Sequence, residues 1–489
     1  MDHSLAPVLD ALTRFRARGD VVLGPPGHRQ GLGVDPRVLN VVGPDVFASD
    51  VLLLNGLDDR RLSTGVLEQA QELMADAVRA EQAFFSTCGS SLSVKTAMLA
   101  VAGPGERLLV SRNAHKSVVA GLILAGIEPV WVHPHPDDGL RLVHPPEPAD
   151  VAAAFDRAPD AKGMLLITPT DWGTCADIAG VAAVCHARGV PLLVDEAWGA
   201  HLPFHDGLPA WGMDAGADLV VTSVHKMGTA VEQSSVFHLQ GDLVDPGVLK
   251  QREDLLGTTS SSSLVYLTLD GWRRQIVEHG HELLERTLGL ARRAREEIGA
   301  TRDLAVMGDD ALGAGKAYDL DPVVLTVDVR GLGVTGYQAS EWVRTHEHVD
   351  LGSADTCRVS ARLTVGDDDE RVDRLVGALR ALAAHAGEIE PSPPVALPPG
   401  GALELETVLR PRDAFFGPAE QVPAAEAVGR VAAEMLSPYP PGVPVVAPGE
   451  RITAEVVDYL TSGVRAGMLV PDAADPALES VRVVADRSL

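Results

Sequence analysis

Cysteine is scarce in this sequence of 489 residues. Cys88, Cys175, Cys185 and Cys357 stand apart, with no C-x-x-C pair. That spacing excludes a disulfide framework and the common zinc and redox motifs, so no metal site is expected and a reducing compartment fits. Long hydrophobic runs are missing too. The longest apolar stretch, Val118 to Ile127, lies between Lys116 and Glu128 and is too short to span a bilayer. The amino terminus reads Met-Asp-His with Asp10 soon after, without the charged-then-apolar pattern of a signal peptide. Positive charge is in short supply: 41 Lys and Arg stand against 68 Asp and Glu, a formal net charge of −27. A polyanion repels nucleic acid and anionic membrane surfaces, so neither is an expected partner. Cationic small molecules are compatible with it, although most of the excess reads as solvated surface. A soluble, cytoplasmic protein is the expectation.

What is present is ordinary globular composition, 46% hydrophobic and 22% charged. The length predicts two to four domains at roughly 100–200 residues each. Residues 1–55 read as an arm or linker: a helix over Ala6–Arg18, then Gly- and Pro-punctuated chain. Over 56–305, helical and strand patterns alternate. Helices are expected at Val66–Ala83 and Ser117–Ala125, and a long one at Asp270–Ile298. Short apolar runs at Arg107–Ser111, Pro129–His133, Met164–Thr168, Pro191–Asp195 and Asp218–Ser223 read as strands of βαβ units in a mostly parallel sheet. Residues 306–388 read as a small α+β domain with strands at Val323–Val329 and Cys357–Val365 and a helix at Asp369–Ala384. Residues 389–401 form a Pro-rich linker, and 402–489 a C-terminal domain.

In doubly wound sheets ligands sit outside the carboxyl ends of the strands. Three of these runs end in reactive groups: Thr168, Asp195 and Ser223. The last continues as Ser223-Val-His225-Lys226. A Lys directly after a buried strand suits a Schiff-base amine, because desolvation favours its neutral, nucleophilic form. Asp195, 31 residues earlier, suits the partner of a protonated pyridine nitrogen. Gly89-Ser90-Ser91 opens a helical stretch at Leu92–Val101 and offers amides and hydroxyls to an anion. His115, after a strand, suits stacking on a planar ring. Each feature is weak alone. Together they fall in the order that one pyridoxal-phosphate site needs.

The segment Ser223-x-His225-Lys226-x-x-Gly-Thr-Ala-x-x-Gln233-Ser234-Ser235 resembles the cofactor-attachment signature of the Orn/Lys/Arg decarboxylase family, major domain. Pro26-Gly27-His28, Arg112-Asn113-Ala114-His115-Lys116-Ser117 and Asp195-Glu196-Ala197-Trp198-Gly199-Ala200-His201 resemble further elements of that family. So does Pro438-Tyr439-Pro440-Pro441-Gly442 with Pro448-Gly449-Glu450, which belongs to an appended C-terminal domain that ordinary aminotransferases lack.

The resemblance implies an aspartate-aminotransferase-like α/β fold, called fold type I, with pyridoxal 5'-phosphate as cofactor. By that resemblance Lys226 carries the cofactor, Asp195 pairs with its pyridine nitrogen, and His115 stacks on its ring with Ala197 beneath. Ser90, Ser91, Ser223 and His225 hold its phosphate. Thr258-Thr259-Ser260-Ser261 stands where the family has Ser-Thr-Ser-Pro, so Thr259 is expected to reach the phosphate of a neighbouring subunit in a homodimer. The Pro-Gly-His element begins near residue 26, so the amino-terminal wing of some members, and their decameric assembly, are not expected.

The implied reaction is α-decarboxylation of a basic amino acid (arginine, lysine or ornithine) to CO2 and agmatine or a diamine, in polyamine biosynthesis. The short, wingless length resembles arginine decarboxylases. Glu450 is a candidate acceptor for the substrate's distal cation, or else a helix-capping partner. Asp171 and Trp172 are candidates for the same pocket. Arg358 and Arg362 resemble the position where aminotransferases hold a carboxylate. A surface strand whose arginines pair with the Asp367–Glu370 run is the preferred reading of them. A fold type I aminotransferase, or a non-catalytic regulator that keeps the fold, is the rival reading.

Overall fold

The computed structural model describes residues 1–52, 65–399 and 401–485. The expected boundary at 55/56 and Gly400 of the expected linker lie outside the described residues. Seven strands form the central sheet: β1 (Gln82–Ser86), β2 (Arg107–Ser111), β3 (Glu128–Val132), β4 (Met164–Ile167), β5 (Leu192–Asp195), β6 (Leu219–Ser223) and β7 (Ser235–Leu239). Their order is β1-β7-β6-β5-β4-β2-β3. Strand β2 runs parallel to β3 and β4, whereas β7 is antiparallel to both β1 and β6. Leu108, Leu109 and Val110 of β2 are fully buried. Burial on both faces is what a parallel sheet covered by helices demands, and it explains why such strands read as unbroken apolar runs.

The described chain divides into two compact units, and the division passes through β5. One comprises Met1–Ala100, Val194–Asp206 and Ala210–Leu284. The other comprises Val101–Leu193, Gly207–Pro209 and Glu285–Leu489. Residues 56–305, expected as one domain, therefore contribute to both.

In the first unit the expected helix Val66–Ala83 is two elements. The helix ends at Ala77, and β1 begins at Gln82. Arg79 adopts φ +59° and the Ala80 amide bonds back to the Ala75 carbonyl, which closes the helix. Phe84 and Phe85 then pair with Phe237 and Val236 of β7. The amino-terminal helix Pro7–Arg18 is anchored by Asp270, whose carboxylate accepts the Val8 amide at 2.8 Å and pairs with buried Arg273.

The second unit holds β2, β3 and β4. It also contains an antiparallel sheet of β8 (Ala305–Val306), β9 (Val324–Asp328) and β10 (Arg358–Arg362), with β9 central. Helices Gly336–His346 and Asp369–His385 pack on it through a core that includes Val343, Leu375, Leu379, Leu325 and Val359. Toward the carboxyl end, β11 (Ala419–Pro423) pairs antiparallel with β12 (Ser480–Val484). The helix Ala454–Arg465 joins them around a separate core of Leu436, Val446, Val456, Leu460 and Val483. Among the described residues, no helix is long and apolar enough to cross a membrane.

Candidate active site

Strand β6 is buried along its whole length and is followed at once by a single helical turn, Val224–Met227, which carries Lys226. The turn stops at Gly228. A Cβ there would meet Val224 O and Trp272 Nε1 at 2.7 Å, so only glycine fits. The Lys226 ammonium lies over the Trp198 ring, 4.2 Å from its centroid. Ser223 is held from two sides: its hydroxyl donates to Ser90 Oγ and its amide to the Ala197 carbonyl at 3.3 Å.

Ser90 begins the helix Ser90–Val101, directly after Gly89 in the left-handed region (φ +75°). The Gly89 amide donates to the Gln233 carbonyl at 3.0 Å, and Gln233 is itself left-handed at φ +69°. Two left-handed positions, one a glycine, thus fix the approach to a helix amino terminus, whose unsatisfied amides suit an anion.

Asp195 ends β5. It is 5% exposed, and its Oδ1 accepts the Ala197 amide at 3.2 Å. The next residue, Glu196, is fully buried. Burial pushes its carboxyl well above the ordinary carboxylate range, with the charge of Asp195 adding to the effect. The two adjacent carboxyls therefore differ in environment, and burial favours the protonated form at Glu196. Glu196 is packed against two glycines, since a Cβ at Gly199 would sit 2.2 Å from its Cγ and one at Gly212 3.0 Å from its Oε2. Burial likewise pushes the His225 imidazole below its ordinary value, which favours the neutral ring. Its Nδ1 faces the Ser234 carbonyl at 3.3 Å.

Ser90, Ala197, Ser223, His225, Asp195 and Lys226 thus belong to one compact unit. Their chemistry fits pyridoxal phosphate: hydroxyls at a helix amino terminus for the phosphate, a buried carboxyl group for a pyridine N–H, and a primary amine for the aldehyde carbon. Ser91 and Thr259 of the same unit are exposed. Trp198 and Glu196 were not singled out from the sequence. Both lie in the Asp195–His201 motif, and position within that motif was the available signal.

His115, Asp171, Trp172 and Glu450 belong to the second unit. His115 caps the helix Lys116–Ala125 and accepts the Ser117 amide on Nδ1 at 3.2 Å. Trp172 lies beneath the Arg358 guanidinium, 5.2 Å from ring centroid to Cζ, and packs beside Leu142, Met307 and Ala311.

Two expectations need correction. Glu450 is 1% exposed and meets Arg112 in two contacts, Oε1 with Nε at 3.1 Å and Oε2 with Nη2 at 2.9 Å. Its Oε2 also accepts the Ala447 amide at 2.8 Å. With both oxygens engaged in the interior it is not available to a substrate cation, nor does it cap a helix. The arginines of β10 do not lie on a surface strand and do not pair with Asp367–Glu370. Buried Arg358 meets Asp355 at 2.9 Å and donates to the Arg141 carbonyl, while Arg362 donates to the Asp171 carbonyl and to Ser360 Oγ. Desolvation selects such close, fixed acceptors over mobile surface carboxylates.

His135, Glu147 and Asp150 also come together, with ligand atoms within 4.8 Å of one another. Their carboxylates also accept backbone amides. Asp150 accepts the Glu147 amide at 2.7 Å and Glu147 accepts the Gly315 amide at 2.7 Å.

A mostly parallel sheet, a lysine one turn beyond a buried strand and a buried aspartate at the end of its neighbour define a fold type I pyridoxal-phosphate enzyme. Comparison with known proteins gives the particular family. The chain matches the Orn/Lys/Arg decarboxylase major domain over residues 6–340 and the C-terminal domain of the same family over residues 404–472. It belongs to the Orn/Lys/Arg decarboxylase family and is a pyridoxal-phosphate-dependent decarboxylase of a basic amino acid. It is 37% identical over 479 residues to an arginine decarboxylase of Halalkalibacterium halodurans, covering 98% of this chain and 97% of that one. It is 35% identical over 490 residues to an arginine decarboxylase of Bacillus subtilis, covering 100% and 99%. The solved structure of lysine decarboxylase A from Pseudomonas aeruginosa shares the fold, with a TM-score of 0.81 at 20% identity, covering 99% of this chain and 81% of that one.

Proposed function

We propose that this decarboxylase acts on arginine and releases CO2 and agmatine. The observation that carries this reading is the 35–37% identity, across nearly the whole length of both chains, to relatives named arginine decarboxylase. When bound, the cofactor supplies an electron sink for the carbon that loses its carboxylate. The chain's residues supply position and charge. Lys226 would hold the cofactor through its amine. Asp195 would hold a proton at the pyridine nitrogen, which would keep the ring electron-poor. Ser90, Ser91, Ser223 and His225 would hold the phosphate, and His115 and Ala197 would contact the ring. Asp171 and Trp172 line the substrate side.

The proposal includes a cytoplasmic homodimer in which Thr259 reaches the phosphate of the neighbouring subunit. The exposure of Thr259 within its own chain supports that part. Turnover measured through subunit dilution tests it: activity falls as dimers dissociate, and activity that survives in demonstrated monomers rejects it.

The substrate is tested by incubating the holoenzyme with arginine, lysine and ornithine, without a keto acid, while following CO2 and amine products. Arginine giving CO2 and agmatine fastest is the expected result. Amine transfer to an added keto acid without CO2 release rejects the reading in favour of an aminotransferase.

A further inference from the structure

Three consecutive carbonyls, those of Asp171, Trp172 and Gly173, each accept a hydrogen bond from the antiparallel sheet of the second unit or from the chain leading into it. Arg362 Nη2 of β10 donates to the Asp171 carbonyl. Thr326 Oγ1 of β9 donates to the Trp172 carbonyl at 2.9 Å, and the Asp321 amide, just before β9, donates to the Gly173 carbonyl at 2.8 Å. The Arg358 guanidinium covers the Trp172 ring. The segment is also closed on itself: the Thr170 amide donates to the Thr174 carbonyl at 2.9 Å and the Gly173 amide to the Thr170 carbonyl at 3.0 Å. Thr174 and Cys175 then pair antiparallel with Leu320 and Asp319. Arg362 is itself fixed. Its side chain is 9% exposed, its Nη1 donates to Ser360 Oγ at 3.2 Å, and its Nη2 stands 3.8 Å from Asp171 Oδ1.

We propose that Arg362 is a positioning residue for substrate recognition: through the Asp171 carbonyl it sets the place of the Asp171–Trp172 segment, which receives the distal guanidinium of arginine. Glu450, the other candidate for that cation, is engaged in the interior by Arg112 and the Ala447 amide. A charge-assisted hydrogen bond to a backbone carbonyl orders the peptide itself. A segment ordered in advance loses less entropy on meeting its ligand, so the gain appears as affinity. The local charges are compatible with a cation. Arg358 pairs with Asp355 at 2.9 Å, and the charges of Asp171 and Asp321 both act on Arg362, so two guanidiniums stand among three carboxyl groups. Arg362 thus serves the guanidinium end of the substrate and not its carboxylate end. This inference rests on the reading that the enzyme takes arginine and that Asp171 and Trp172 line the substrate side.

The test is Arg362→Met in the holoenzyme, read by kcat and KM for arginine and by the inhibition constant of agmatine, which keeps the guanidinium and lacks the carboxylate. KM is expected to rise about tenfold, with kcat within about twofold, and the agmatine constant to rise by the same factor as KM. A rise confined to arginine overturns the proposal, because Arg362 then meets the substrate carboxylate directly. A fall in kcat with both constants unchanged overturns it as well. Should Arg362→Met fail to fold, Thr326→Val carries the test. It keeps the branched shape, removes one donor to the same segment and is expected to raise both constants together; wild-type values for both overturn the proposal. Asp171→Ala separates the two readings. If it leaves both constants at the wild-type level, the segment does not meet the substrate, and the proposal falls with the reading beneath it. If it raises both while Arg362→Met raises neither, the segment binds substrate and the positioning role of Arg362 alone is refuted. A wild-type enzyme that neither decarboxylates arginine nor binds agmatine refutes the substrate assignment itself.

Discussion

Arg112 and Glu450 form a bidentate ion pair in the interior of the second unit, with Glu450 1% exposed and Arg112 7% exposed. The guanidinium also donates to the Pro444 and Val445 carbonyls and stacks over Trp131, 5.1 Å from its ring centroid. A buried pair of this kind is weak evidence of net stabilisation, but removing one partner strands the other charge. Glu450→Ala is therefore expected to lower the unfolding free energy by about 3–5 kcal/mol, measured by denaturant titration. Unchanged stability together with a raised KM for arginine would return Glu450 to the substrate.

Lys226→Ala is expected to remove the visible absorbance of the bound cofactor while leaving the far-ultraviolet circular dichroism intact. A band that persists after dialysis would show that another amine carries the cofactor.

Asp195→Asn keeps the shape of the side chain and removes its charge. Burial pushes the neighbouring Glu196 carboxyl toward its protonated form, which makes it a poor substitute for that charge. The expected loss in kcat is at least about 100-fold, with the unfolding midpoint close to wild type. Near wild-type turnover would contradict the electron-sink role.

His238 of β7 is fully buried beside Trp211, and burial pushes its pKa down to about 3. The folded chain keeps this ring neutral, whereas the unfolded chain protonates it below its ordinary value near 6.5. The unfolded state thus binds the extra proton, and stability falls as pH drops from 6.5 toward 3. The expected slope is about 1.4 kcal/mol per pH unit. Urea unfolding at pH 7 and pH 5.5 should show the loss, and His238→Gln should flatten it. An unaltered slope in the variant would assign the acid sensitivity elsewhere.

Most of the central sheet was legible because its strands are buried on both faces. Strands β2, β4, β5 and β6 appear as short apolar runs, and the observed limits agree with the expected ones to within a residue. Strands β1 and β7 were not legible. The Phe84-Phe85 pair of β1 merges with the apolar pattern of the preceding helix. Strand β7 carries Ser235 and His238 among its apolar residues, and Ser235 Oγ and His238 Nε2 find their partners in distant Ser93 and neighbouring-strand Thr222. The long helix begins at Ser263 rather than Asp270, because Ser263-Leu-Val-Tyr-Leu-Thr reads as strand or loop by local preference.

Within the site, Ser90, Ala197, Ser223 and Lys226 converge in one unit, and each is a position in a motif. The fate of Glu450 was beyond local reading. A carboxylate beside a proline-rich turn looks available until its partner is known, and that partner lies 338 residues upstream.

That separation also sets an order of events during synthesis. At about 5–20 residues per second, Arg112 leaves the ribosome some tens of seconds before Glu450 exists. Throughout that interval Arg112 has no counter-charge at residue 450. A chain cut short ahead of that residue never gains it, and its Arg112 guanidinium lacks the interior carboxylate it meets in the folded chain.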